Sequence, residues 1–119
     1  MYYAGRCAVV GGFEGLGKSE ARLLEEAFRR CERVSIYVVA DLDERQLRRV
    51  LRKLEQHLRA RYPGRYEVKP ISSIAEVAES DAHTIVVPYA ELAEKVNALR
   101  EKAGLKKMLS VVVEPSDSN

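Results

Sequence analysis

Short apolar runs alternate with amphipathic stretches along the whole chain. Arg6-Cys7-Ala8-Val9-Val10-Gly11 is apolar and closes on glycines, which predicts a buried strand ending in a turn. A helix is predicted from near Gly17, because Leu16, Leu23, Leu24, Ala27, Phe28 and Cys31 recur at three- and four-residue spacing. Val34 to Ala40 is a second buried run, rich in β-branched side chains, and ends at Asp41. Asp41 or Asp43 can cap the next helix, since a short acidic side chain accepts the free N–H groups of a first turn. Leu47, Val50, Leu51, Leu54 and Leu58 form its inward stripe, and Tyr62-Pro63-Gly64 ends it. Tyr66-Glu67-Val68 predicts a third strand, and residues 71–79 a connection with one short helix from Ile74. Thr84 to Val87 is the fourth strand, stopped by Pro88, which is expected to open the following helix at its first turn. That helix turns Leu92, Val96 and Leu99 inward and stops at Gly104; Met108 to Val113 is the fifth strand.

Apolar strands separated by amphipathic helices imply a parallel sheet covered on both faces. The expectation is one α/β domain over residues 1–114, a Rossmann-like three-layer sandwich, followed by a flexible polar tail at 115–119. Ligands of such folds sit beyond the carboxyl ends of the strands, where the strand order reverses. Gly11-Gly12 and Val87 to Tyr89 are the expected walls of that crevice, with Asp41, Pro88 and Tyr89 as candidate lining.

Composition narrows the class without naming a function. The chain has 119 residues, 46% apolar and 32% charged, as ordinary globular domains do. A formal net charge of +2 is too small to argue by itself for nucleic acid or a membrane. No apolar run approaches the roughly 20 residues of a membrane span, and the N-terminus shows no signal-peptide pattern. A cytoplasmic protein without a membrane partner is expected. The abundance of Arg, Glu, Leu and Val, with few Asn and Gln, suggests a thermophilic source. Cys7 and Cys31 lack metal-ligand spacing. Buried free thiols are expected there, with a disulfide as the alternative.

Gly12 to Ser19 fits G-x-x-x-x-G-K-[ST], the phosphate-cradling P-loop. Amides of a glycine-rich turn and the following helix N-terminus can hold phosphate oxygens. In that reading Lys18 reaches the β- and γ-phosphates, Ser19 holds Mg²⁺, and Asp41 stands in for the second acid. The ligand would be ATP with Mg²⁺ and the activity that of an NTPase or kinase. The bland alternative is a tight turn with a solvated lysine.

The same segment, Ala8-Val9-Val10-Gly11-Gly12-Phe13-Glu14-Gly15-Leu16-Gly17-Lys18-Ser19-Glu20, resembles the opening of the archaeal-type phosphopantetheine adenylyltransferases, G-T-F-D-x-L-H-K-G-H. Gly11, Phe13, Leu16 and Lys18 match. The resemblance continues through Val34 to Asp41, Tyr62 to Val68 and Asp81 to Val87. It includes Ala93-Glu94-Lys95-Val96-Asn97-Ala98-Leu99-Arg100 with Gly104-Leu105-Lys106, and ends at Val111 to Val113. It implies a nucleotidyltransferase-like fold with a five-stranded parallel sheet in the order 3-2-1-4-5, and an ancestral role in coenzyme A biosynthesis. The family's two histidines fall on Gly17 and Glu20, its threonine on Gly12 and its aspartate on Glu14. Losing donors that stabilise developing charge costs on the order of a hundredfold each, and a carboxylate at Glu20 repels triphosphate. The family's substrate-contacting loop after Asp41 and its segment after the fifth strand are expected to be missing, the sequence ending at Asn119. No catalytic residue and no metal site is therefore assigned.

The resulting expectation is a divergent nucleotidyltransferase-like protein that holds a nucleotide or another phosphate-bearing ligand through Gly11, Gly12, Phe13, Gly17, Lys18 and Ser19. An active transferase with a remodelled site comes second and a P-loop enzyme third. A non-enzymatic nucleic-acid or protein-binding module is fourth. The second helix is basic at Arg45, Arg48, Arg49, Arg52, Lys53, Arg59 and Arg61, with Arg65 nearby. It reads first as a solvated outer face, because few aromatics are interleaved to stack on bases. His57 and His83 have no partner at metal spacing and are expected to be structural or neutral. Tyr89 can stack on an adenine or pack between helices.

Overall fold

The computed structural model describes residues 3–13, 16–39 and 43–114. Strands β1 (Tyr3–Gly11), β2 (Cys31–Val39), β3 (Tyr66–Ile71), β4 (Thr84–Val87) and β5 (Leu109–Val112) alternate with helices. These are α1 (Lys18–Arg30), α2 (Glu44–Arg61), the single turn α3 (Ala75–Ala78) and α4 (Ala90–Lys102). The sheet order is β3-β2-β1-β4-β5, and all four neighbouring pairs are parallel. Both the order and the layered architecture agree with the sequence expectation.

Alternation along the strands builds the two cores. Cys7, Val9, Val34, Ile36 and Val38 pack against Leu23, Leu24, Ala27 and Phe28 of α1 and Val50, Leu54 and Leu58 of α2. Ala8, Val10, Tyr37, Ile85 and Val87 face the opposite layer, with Val77 of α3 and Leu92, Ala93 and Val96 of α4. Helices α1 and α2 thus cover one face and α3 and α4 the other, as side-chain period 2 in a strand requires.

The cysteines are not free thiols. Cys7 and Cys31 form a disulfide with Cα atoms 5.7 Å apart, and both are fully buried. No loop separates α1 from β2: Cys31 caps the helix and is also the first residue of the strand. The parallel pairing of β1 and β2 then sets Cys31 opposite Tyr3 and Cys7 opposite Val34. The thiols meet only once β1 and β2 pair, beside a register irregularity between Tyr3 and Arg6, and the spacing of the two cysteines does not encode that proximity.

This abrupt helix-to-strand junction needs a donor for the carbonyls at its end. Arg65 supplies it. Its Nη2 donates to Phe28 O at 2.8 Å and Cys31 O at 2.9 Å, and its Nε to Glu32 O at 2.9 Å. The guanidinium carbon lies 5.2 Å from the Phe28 ring centroid, a cation–π distance. Arg65 therefore belongs to a helix end and not to the basic surface with which it was grouped.

Two polar side chains on α4 hold the second half of the sheet. Asn97 donates from Nδ2 to Met108 O at 3.0 Å and accepts from Met108 N–H at 2.8 Å, so its amide pairs with the peptide just before β5. Arg100, only 7% exposed, donates to the carbonyls of Ala78, Ser80 and Lys106.

Boundaries differ from the sequence expectation where capping decides them. Asp43 caps α2, accepting from Gln46 N–H at 2.8 Å; Asp41 lies outside the described residues. Pro88 does not open α4, whose cap is Tyr89. Leu16 precedes α1 and packs on the core from the turn, not from the helix. Strand β3 runs on to Ile71.

Candidate functional site

Strand β1 lies between β2 and β4, and the chain leaves these neighbouring strands in opposite directions. From β1 it runs into α1 on one face, and from β4 into α4 on the other. The carboxyl ends of β1 and β4 thus form a crest at the topological switch point, where folds of this kind hold their ligands. The glycine-rich turn and the segment Pro88-Tyr89 both stand there, as the sequence predicts.

The glycines of this turn do different work. A Cβ on Gly11 would meet the Phe13 ring at 3.1 and 3.3 Å, so Gly11 is small to let that ring tuck beneath the turn. Phe13 is 1% exposed and joins the core shared with α1. Gly12 and Gly17 have no such reason. Neither has a positive φ, and among the described residues a Cβ on either would meet nothing closer than 3.8 Å. The left-handed conformation falls instead on Phe13 (φ 55°) and Leu16 (φ 45°), where a side chain makes it costly. Strained non-glycine residues of this kind cluster at binding and catalytic sites.

Gly17 caps α1 in extended backbone. Its N–H is taken by Glu20, whose Oε1 accepts at 2.8 Å. This is half of a capping box, because Gly17 has no side chain to return the bond. The spacing from Gly17 to Glu20 carried that signal in the sequence, where Glu20 was read only as a lost histidine. Lys18 is exposed in the first turn of α1 and makes no ion pair with a described residue; Ser19 follows it, half-buried. The carboxylate of Glu20 and the ammonium of Lys18 thus stand at the same helix end, which carries partial positive charge of its own.

Apolar side chains border the crest. Val39, the last residue of β2, is 44% exposed, Val112, the last of β5, 41%, and Tyr89 51%. Tyr89 therefore stands open at the crest and does not pack between helices. Asp41, the expected second acid for Mg²⁺, is outside the described residues. No group of three His, Cys, Asp or Glu among the described residues is arranged to hold a metal ion. No helix among them is long and apolar enough to cross a membrane.

A second concavity of about 620 Å³ opens on the sheet face that the one-turn α3 leaves bare, floored by Ser35 and Tyr37. Arg6 Nη1 donates to Ser35 Oγ at 2.8 Å there, and Arg6 pairs with Asp81 at 3.5 Å. No site residue predicted from the sequence lines it.

No protein-family model and no curated protein matches the chain. The chain is similar to a crystal structure of a protein of unknown function from Archaeoglobus fulgidus. The TM-score is 0.72 at 23% identity, over 92% of this chain and 98% of that chain. At that identity the likeness is one of fold: a Rossmann-like α/β sandwich with a parallel sheet.

Proposed function

We propose that this chain is a divergent nucleotidyltransferase-like protein that binds a phosphate-bearing small molecule, a nucleotide foremost, across the crest of its sheet. One observation carries the reading. Gly12 has ordinary backbone and, among the described residues, open space where a Cβ would stand, whereas Gly17 already serves as the cap of α1. A glycine without a conformational or packing reason serves the close approach of something outside the chain. The strained Phe13 and Leu16 flank the same turn, and Lys18 offers a cation beside it. Exposed Val39 and Tyr89 supply apolar surface for a base.

The same turn weighs against transfer chemistry. Glu20 occupies the Gly17 amide and adds a negative charge where the family resemblance requires a donor to phosphate. Phe13 commits part of the eight-residue motif to the core, which supports an adenylyltransferase-type turn over a loop wrapped around phosphate. We assign binding without turnover, with descent from an enzyme of coenzyme A biosynthesis as the resemblance implies.

The test is a thermal-shift titration with ATP, dephospho-coenzyme A and pyrophosphate at millimolar concentration, with and without Mg²⁺. A rise in Tm that Lys18→Ala abolishes is expected, with no dephospho-coenzyme A formed from ATP and phosphopantetheine. No shift with any of the three ligands ends the binding reading; product formation ends its non-catalytic half.

A further inference from the structure

The modest net charge of the chain hides a strong segregation. Helix α2 carries seven cations and only two acids, Glu44 and Glu55, so it holds +5. The remaining 13 cations and 16 acids hold −3, against +2 for the whole. Arg45, Arg48, Arg49 and Arg52 follow at the spacing of one helix face, and all four are exposed. With Asp43 and Glu44 they line a surface groove of about 680 Å³, and no other described residue does. Among the described residues, only Arg48 of the four has an acidic partner, Glu44 at 2.9 Å, and that pair is exposed on both sides.

Folding alone does not favour this arrangement. Like charges three and four residues apart on a helix repel, and cations near a helix N-terminus oppose its dipole. Arg45 is the second residue of α2 and so stands in the turn where the dipole disfavours a cation. Helix α1 follows the opposite rule, with Glu25 and Glu26 pairing with Arg29 and Arg30 one turn on. Helix α2 has such pairs at Glu44–Arg48 and Glu55–Arg59, yet Arg45, Arg49 and Arg52 are left with like-charged neighbours on the same face. A local choice that works against its own helix is the mark of a functional surface.

We propose that this face of α2 docks on the phosphate backbone of a nucleic-acid duplex, independently of the crest and its ligand. From Arg45 to Arg52 the helix rises roughly 10 Å, a length over which a duplex presents roughly six phosphates. Four arginines match that field with planar forks suited to phosphate. A membrane is disfavoured because the apolar residues of α2, Val50, Leu54 and Leu58, are buried against the sheet. An acidic protein is disfavoured because every described residue of the lining is charged and none of them is an apolar or aromatic anchor. Single strands are disfavoured because no aromatic side chain lines the groove to stack on bases.

The experiment is fluorescence anisotropy with a short labelled DNA duplex, its RNA counterpart, and vesicles containing phosphatidylserine. The logarithm of the binding constant should fall with log salt at a slope of about −3.6, or about 150-fold between about 50 and 200 mM. Arg45→Gln, Arg49→Gln and Arg52→Gln together should bring the slope to about −0.9 while Tm holds or rises, because repulsion is relieved. Lys95→Gln, Lys102→Gln and Lys106→Gln together remove the same charge elsewhere and should leave the slope nearly unchanged. The proposal is overturned if the native protein binds no duplex at the lowest salt, or if the arginine variant keeps its slope. It is equally overturned if the lysine variant loses as much, or if vesicles bind more tightly than either duplex.

Discussion

Glu20 accepts a 2.8 Å hydrogen bond from the backbone N–H of Gly17, and these are the two positions where the family resemblance places histidines. The pair has opposite effects on folding and on binding. It satisfies one orphan amide of α1 while it sets a carboxylate beside any phosphate brought to that helix end. Glu20→Ala should therefore lower stability by about 0.5 kcal/mol. It should also tighten nucleotide binding by about 0.3–1 kcal/mol, roughly two- to fivefold. Chemical denaturation and ligand titration on one preparation read both signs. A loss of stability with no gain in affinity removes Glu20 from the ligand's surroundings.

The Cys7–Cys31 disulfide closes a sequence separation of 24 residues inside the core. Restricting the unfolded chain by such a loop stabilises the fold by about 3–4 kcal/mol. The double variant Cys7→Ala/Cys31→Ala should lose at least that much, seen as a lower midpoint in guanidinium. Both cysteines are 0% exposed, so a mild reductant should leave the bond intact in native protein and cleave it in denaturant. Rapid thiol labelling of folded, reductant-treated protein is the contrary outcome.

Arg100 is a buried cation that donates to three carbonyls: Lys106 O at 2.7 Å, Ala78 O at 2.9 Å and Ser80 O at 2.6 Å. It joins α4 to the end of α3 and to the approach to β5. Arg100→Met strips three charge-assisted bonds and leaves buried carbonyls unsatisfied, at a cost of about 3 kcal/mol. Arg100→Lys should recover only part of this, since an ammonium cannot reproduce the guanidinium fork. Urea denaturation measures the loss. Hydrogen exchange should accelerate first at α3 and residues 106–109, and uniform acceleration across the sheet would contradict the assignment.

How legible each feature was in the sequence follows from its range. Strands and helices came through because Val9, Val34, Ile36 and Val86 lie in contiguous apolar runs, whose burial on both faces needs no knowledge of distant partners. The segment around Asn97 and Arg100 supported the resemblance, and both residues prove to be fastenings within the fold. A likeness carried on such residues conveys architecture more readily than chemistry. The features that escaped depend on three-dimensional register. Cys7 meets Cys31 only after β1 pairs with β2, and Arg65 reaches Phe28 O only because β2 follows α1 without a loop. At the crest, the glycine pattern marks the turn that follows β1. The left-handed backbone at Phe13 and Leu16 could not be read from it, since that conformation ordinarily calls for glycine.

The last prediction concerns acid. Burial first, and then Arg61 one turn further along α2, hold the His57 imidazole below its ordinary value of 6.5. In the unfolded chain His57 takes up its proton near that pH, while in the folded protein it does so only at lower pH. Below pH 6.5 the unfolded state therefore binds more protons, and stability falls as the pH drops until the folded value is reached. Above pH 6.5 the neutral ring contributes its full share. His57→Gln should flatten the decline in stability between about pH 7 and pH 5, a window above the main carboxylate titrations. The comparison is made by denaturant melts of the two proteins across that window. Parallel curves would show that His57 reaches solvent freely and would overturn the burial assigned to it.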